Sequence, residues 1–143
     1  MSAAAAGPGP AEFSVAHPAW EMCVIRVRCE LDMLTVPTLS QLLSQELTVG
    51  YRALLIDLTD CEFAGSLALA ALAQAHQHAT SGAETRFALA GTSRIVARAL
   101  ETSGLGPLFE TYPTVSEAVA TLGQEQAGEA RATGSMIWPG PDS

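Results

Sequence analysis

The chain has 143 residues, 48% of them hydrophobic, and a formal net charge of −8; this is the size of one ordinary domain with enough apolar material for a core. All seven basic residues are arginine, at positions 26, 28, 52, 86, 94, 98 and 131, and lysine is absent. That excludes a P-loop lysine, a Schiff-base lysine and the lysine of a phosphoaspartate receiver, and an acidic chain with scattered arginines does not suit nucleic acid.

Residues 1–11 are mostly Ala, Gly and Pro without periodicity and read as a disordered leader. Neither a basic-then-apolar signal nor a run near ~20 apolar residues is present, so a soluble, cytoplasmic protein without membrane insertion is expected. Phe13–Ala16 reads as a short edge strand and His17-Pro-Ala-Trp20 as a turn. Met22–Cys29 alternates, with Cys23, Ile25, Val27 and Cys29 on one side and Val24, Arg26 and Arg28 on the other, as in a half-buried strand. Pro37 lies just inside a helix with apolar positions at Val36, Leu39, Leu43 and Leu47, ended by Gly50.

Ala53–Leu58 is a continuous apolar run interrupted only by Asp57, expected of a central parallel strand covered on both faces. A loop over 59–65 leads into a helix from Ser66 that is Ala/Leu-rich on several sides and is expected to be deeply buried, with Ser81-Gly82 as its stop. Arg86–Gly91 is a further strand, Thr92 a candidate N-cap, and Ile95, Val96, Ala99 and Leu100 the apolar stripe of the next helix, which Ser103-Gly104 ends in a left-handed turn. A short strand follows, and Thr114-Val-Ser-Glu117 is a capping box opening a last helix through Ala118, Val119 and Leu122. Residues 123–143 turn polar and small and read as a flexible tail. The alternation predicts an α/β fold, a mostly parallel or mixed sheet packed by about four helices with right-handed crossovers.

Few residues carry recognisable chemistry. Cys23, Cys29 and Cys61 form an odd set with no CxxC spacing, which suits buried reduced thiols better than a disulfide framework or a zinc site. His76 and His78, two apart on one helix, face different ways and make neither a metal pair nor a general base. Ala64-Gly-Ser-Leu-Ala68 lacks the GxSxG pattern of a nucleophile elbow. No catalytic residue, cofactor site or metal site is expected. Ser66, where a loop becomes a helix, reads from position alone as an N-cap, Asp32 as turn chemistry, and Gly65 as a residue able to take positive φ.

Four segments in order resemble one family. Cys29-Glu-Leu-Asp32, Leu55–Ser66, Ser103-Gly-Leu-Gly-Pro-Leu-Phe109 and Val115-Ser-Glu-Ala118 are similar to the corresponding motifs of STAS domains, a similarity over roughly residues 13 to 122 that implies one domain at 12–122. The branch they most resemble is that of the anti-sigma factor antagonists. The resemblance implies a non-enzymatic domain that binds an anti-sigma factor of the serine-kinase type, releases a sigma factor, and is switched off by phosphorylation of Ser66. It places partner contacts at Asp32, Glu62, Gly65, Ser66 and Leu67. Two residues depart from the pattern: Gly65 stands where the family has Asp before the phosphoacceptor, and Cys29 where it has Gly. The first departure implies weak phosphorylation of Ser66, or none. The alternative within the same fold is a non-phosphorylated STAS subunit that acts as a scaffold or small-ligand-binding part of a signalling or transport complex.

Overall fold

The computed structural model describes residues 12–18, 21–83 and 85–123; the leader and nearly all of the expected tail lie outside them. The elements are β1 (Phe13–Ala16), β2 (Met22–Val27), α1 (Val36–Leu47), β3 (Ala53–Asp57), α2 (Ser66–His78) with a π-helical turn at Ala79–Ala83, β4 (Arg86–Ala90), α3 (Arg94–Ser103) and β5 (Glu110–Tyr112). A last helix, α4, spans 115–123. The strands lie side by side in chain order. β1 is antiparallel to β2, and the other three pairings are parallel. The fold is therefore α/β with a mixed sheet, as expected.

Period-two alternation sends the strands into two separate cores. Cys23, Ile25, Val27, Leu54, Ile56, Leu58, Phe87 and Leu89 share a cluster with the apolar residues of α1, α2 and α3. Met22, Val24, Ala53, Leu55, Ala88 and Ala90 share the other with Ala118 and Leu122 of α4. This corrects the half-buried reading of β2. Only Arg26 is exposed along the strand, because α4 covers the side that the alternation assigned to solvent. The polar member stays within the sheet surface by pairing: Arg26 Nε is 3.7 Å from Asp57 Oδ2 on β3, and its Nη2 donates to Asp60 at 3.0 Å.

Helix α2 is buried along one stripe only, Ala68, Leu69, Leu72 and Ala75, and Leu67 is 55% exposed. Its Ala/Leu composition hides this, since alanine is as acceptable on a solvent face as in a core. Ile95, counted in the stripe of α3, is 59% exposed, while Val96 and Leu100 are buried. Helix α3 is capped by Ser93 rather than Thr92: Ser93 Oγ accepts from Val96 N at 3.2 Å. It ends at Gly104, φ 80°, the left-handed turn that glycine adopts without Cβ strain. Thr114 Oγ1 accepts from Glu117 N at 3.1 Å at the start of α4, one half of the expected capping box.

Candidate functional site

A parallel sheet gathers the loops that follow its strands at one end, and here two of them are stitched together. Past the β2–β3 ladder the chains separate and rejoin at an isolated parallel bridge, Leu31 to Ala64. Leu31 N donates to Phe63 O at 2.8 Å, and Gly65 N donates to Leu31 O at 3.0 Å. This brings Asp32 beside the Gly65–Ser66 junction, although they are far apart in sequence. A third loop leans on the second. Gly91, φ 72°, lies so close to Thr59 that a Cβ there would approach its Oγ1 to 2.3 Å, so glycine is required both by conformation and by space.

Asp32 is spent on its own turn. Its Oδ1 accepts from Leu34 N at 3.0 Å, Thr35 N at 3.2 Å and Thr35 Oγ1 at 3.2 Å. Its carbonyl accepts from Thr35 N and Val36 N at the start of α1. That is the turn and cap chemistry expected of an Asp before a helix. Asp57 is likewise engaged, accepting from Thr59 N at 3.0 Å and facing Arg26.

The N-cap of α2 is Gly65, with φ −79° and ψ 178°, an extended conformation open to any residue. Positive φ is therefore not why glycine stands here. A Cβ at 65 would meet the Phe63 ring at 3.5 Å and Leu31 O at 3.7 Å, ordinary contact distances. Ser66 is the first residue inside the helix rather than its cap. Its exposed side chain makes no hydrogen bond among the described residues, so capping does not account for a serine at this position. Glu62 and Leu67 are also exposed, and all five sequence-derived residues lie at this end of the sheet.

Sequence reasoning missed the apolar part of the same surface. Of the seven exposed large hydrophobic residues among those described, five belong here: Met33 (75% exposed), Leu34 (76%), Phe63, Leu67 and Ile95. Met33 and Leu34 protrude from the turn that Asp32 organises, and Phe63 comes from the bridged loop. An adjacent Met-Leu pair inside a turn, outside any helical stripe, was the available signal. A concentration of exposed apolar side chains at one end of the sheet makes that end the candidate interaction surface. Carboxylates border it at Glu30, Asp32, Asp60 and Glu62.

The three thiols are all at least partly buried. Cys23 and Cys61 are fully buried and Cys29 partly so. Burial pushes Cys23 up to about 12, helped by the Glu46 carboxylate it faces, and Cys29 up to about 11; burial also raises Cys61. Such thiols are weak nucleophiles at neutral pH. Among the described residues no group of three or more His, Cys, Asp or Glu side chains is placed to hold a metal ion, and no helix is long and apolar enough to cross a membrane.

Comparison with known proteins agrees with this architecture. No curated protein matches the chain in sequence. A crystal structure of an anti-sigma factor antagonist from Mycobacterium paratuberculosis is 30% identical, with a TM-score of 0.68, covering 80% of this chain and 97% of that one. The unphosphorylated anti-sigma factor antagonist SpoIIAA shares the fold at 21% identity and TM-score 0.65, covering 87% of this chain and 99% of that one. A sulfate transporter family protein from Wolinella succinogenes shares it at 14% identity and TM-score 0.61, covering 71% and 84%. The STAS domain family model matches residues 15–118, and the chain belongs to the STAS domain family.

Proposed function

We propose that the chain is an anti-sigma factor antagonist, a non-enzymatic cytoplasmic binding protein. It docks an anti-sigma factor of the serine-kinase type on the surface formed by the β2–α1 and β3–α2 loops and so releases a sigma factor. The observation that carries the reading is the exposed apolar group Met33, Leu34, Phe63, Leu67 and Ile95 around a free Ser66 hydroxyl. Interfaces of this kind combine large apolar side chains with polar groups; Asp32, Glu62, Gly65 and Ser66 supply the remaining contacts of this surface. The likeness to the Mycobacterium paratuberculosis antagonist supports it.

Ser66 is the switch position in this reading. At the first turn of α2 a phosphate meets unpaired backbone N–H groups and the positive end of the helix dipole, so the fold tolerates it. Its charge of about −1.5 to −2 falls among carboxylates on a surface that a partner must desolvate. An unpaired charge buried there costs on the order of 2–5 kcal/mol, a ~30-fold or greater loss of affinity.

The test is affinity capture from the native cytosol with and without ATP, read by mass spectrometry. Wild type is compared with Leu67→Arg and Ser66→Asp. Recovery of an ATPase-type kinase by wild type, lost with both variants and accompanied by a Ser66 phosphopeptide when ATP is present, supports the switch. Recovery with Ser66 unmodified makes the protein a constitutive antagonist, with Gly65 as the reason. Binding that survives Leu67→Arg refutes the surface. The second reading, a STAS scaffold in a transport or signalling complex, is favoured by Gly65 in place of an acidic residue and gains if only transport components are captured.

A further inference from the structure

Helices α1 and α2 both run back from the docking end, so they lie parallel, and a groove of about 300 Å³ opens between them. Its walls are one face of each helix: Ser40, Leu43, Ser44, Leu47 and Thr48 against Ala71, Gln74, Ala75 and His78. The floor is apolar and the rim polar, and the groove exists because α2 offers alanines where larger residues would fill the space. It reaches the last residues of both helices, at the end of the molecule opposite Ser66.

Two terminal segments of the chain lie outside the described residues. Residues 1–11 join β1 at Phe13, which pairs with Val27 at the docking end, and hold one large apolar residue, Met1. Residues 124–143 leave α4, whose Leu122 shares a cluster with Met22 and Ala53, the first residues of β2 and β3. The exit is therefore at the end where the groove opens. This segment holds Met136-Ile137-Trp138 after twelve small or polar residues. Twelve residues span up to ~40 Å, whereas crossing from α4 to the other helical layer requires roughly 20 Å at ~10 Å per layer. Tethering on this scale supplies an effective concentration near millimolar, so modest contacts suffice.

We infer that the α1–α2 groove is the docking site of the chain's own Met136-Ile137-Trp138 segment, with the indole on the Leu43, Leu47, Ala71 and Ala75 floor. Occupancy leaves the Ser66 surface open, since the two lie at opposite ends of the sheet.

The chain has two tryptophans, so a full-length Trp20→Phe variant, checked for folding by circular dichroism, reports on Trp138 alone. The expected emission is well to the blue of the urea-unfolded chain, independent of protein concentration, and shifted to the red by Ala71→Leu, which fills the floor. In the otherwise native chain, Trp138→Ala should move the NMR signals of Leu43, Ala71 and Ala75 and leave those of Ser66 and Leu67 in place. Solvent-like emission in the folded protein overturns the inference. So does a blue shift that Ala71→Leu leaves unchanged, since the indole is then seated elsewhere. A blue shift that fades on dilution overturns it too, because the groove then holds the segment of a second copy.

Discussion

Replacing Gly65 by Asp should stabilise the protein, although the residue lies where two loops are bridged, its N–H donating to Leu31 O at 3.0 Å. The backbone there is extended, φ −79°, and a Cβ meets nothing closer than 3.5 Å. Removing glycine's freedom from the unfolded chain is worth about 0.4–1 kcal/mol. Asp is better than Gly at an N-cap by a few tenths of a kcal/mol, and a carboxylate at a helix N-terminus adds about 0.3–1 kcal/mol, which repulsion from Asp32 and Glu62 partly offsets. The net is a gain of about 1 kcal/mol, or a melting temperature higher by about 3–6 °C for a domain of this size. Gly65→Ala gains the same chain entropy but is a poor cap, so it should fall near zero. Urea titration and calorimetry of the three proteins separate the contributions. If Gly65→Asp and Gly65→Ala both lose more than about 1 kcal/mol, the extended N-cap is wrong and glycine is conformationally required. If the gain appears, position 65 is free of folding constraint and its glycine is to be explained by function, which is the premise for asking whether Asp there raises phosphorylation of Ser66.

Leu72 is fully buried in the α2 stripe, so Leu72→Ala should cost about 2–5 kcal/mol by urea titration, whereas Leu67→Ala on the exposed side should stay within about 0.5 kcal/mol. The thiols should react slowly with a chromogenic disulfide at pH 7.5 in the native state and all three promptly in denaturant, with native Cys29 accelerating as pH approaches its value of about 11. Arg86 holds the Glu110 carboxyl below its ordinary value through hydrogen bonds from Nε at 2.7 Å and Nη2 at 2.6 Å. A depressed carboxyl stabilises fully above its unfolded pKa of about 4.3 and loses that contribution as pH falls through the lower folded value. Glu110→Gln should therefore lose a little stability at pH 7 and show a shallower decline below about pH 4.5. With both side chains 37% exposed, solvent screening keeps the effect within about 0.2–1 kcal/mol.

The sequence was most readable where a single period governs. The run at Leu54–Ile56 and the spacing of Val36, Leu39, Leu43 and Leu47 named a central strand and a core helix, and all of them are buried. It was least readable where a distant element decides exposure. Nothing local to Met22 and Val24 tells that α4 covers them, and nothing in an Ala/Leu-rich helix tells which side of α2 meets water. At the candidate site the resemblance located Ser66 and its neighbours, but the role of Asp32 needed its turn geometry. The protruding Met33, Leu34 and Ile95 needed the assembled loops, because apolar residues read as core until their exposure is seen.

The Leu31–Ala64 bridge has a consequence for association kinetics. Loops that carry docking residues usually fluctuate independently, and a partner must immobilise them when it arrives, at about 0.5–1.5 kcal/mol for each ordered side chain. Here two backbone hydrogen bonds hold the Asp32 turn and the Ser66 junction as one plate, and Thr59 wedged against Gly91 braces it from the side. Much of the ordering is complete before any encounter. On the proposed function, a partner meets a surface that binds by rigid collision, with little conformational lag between contact and capture.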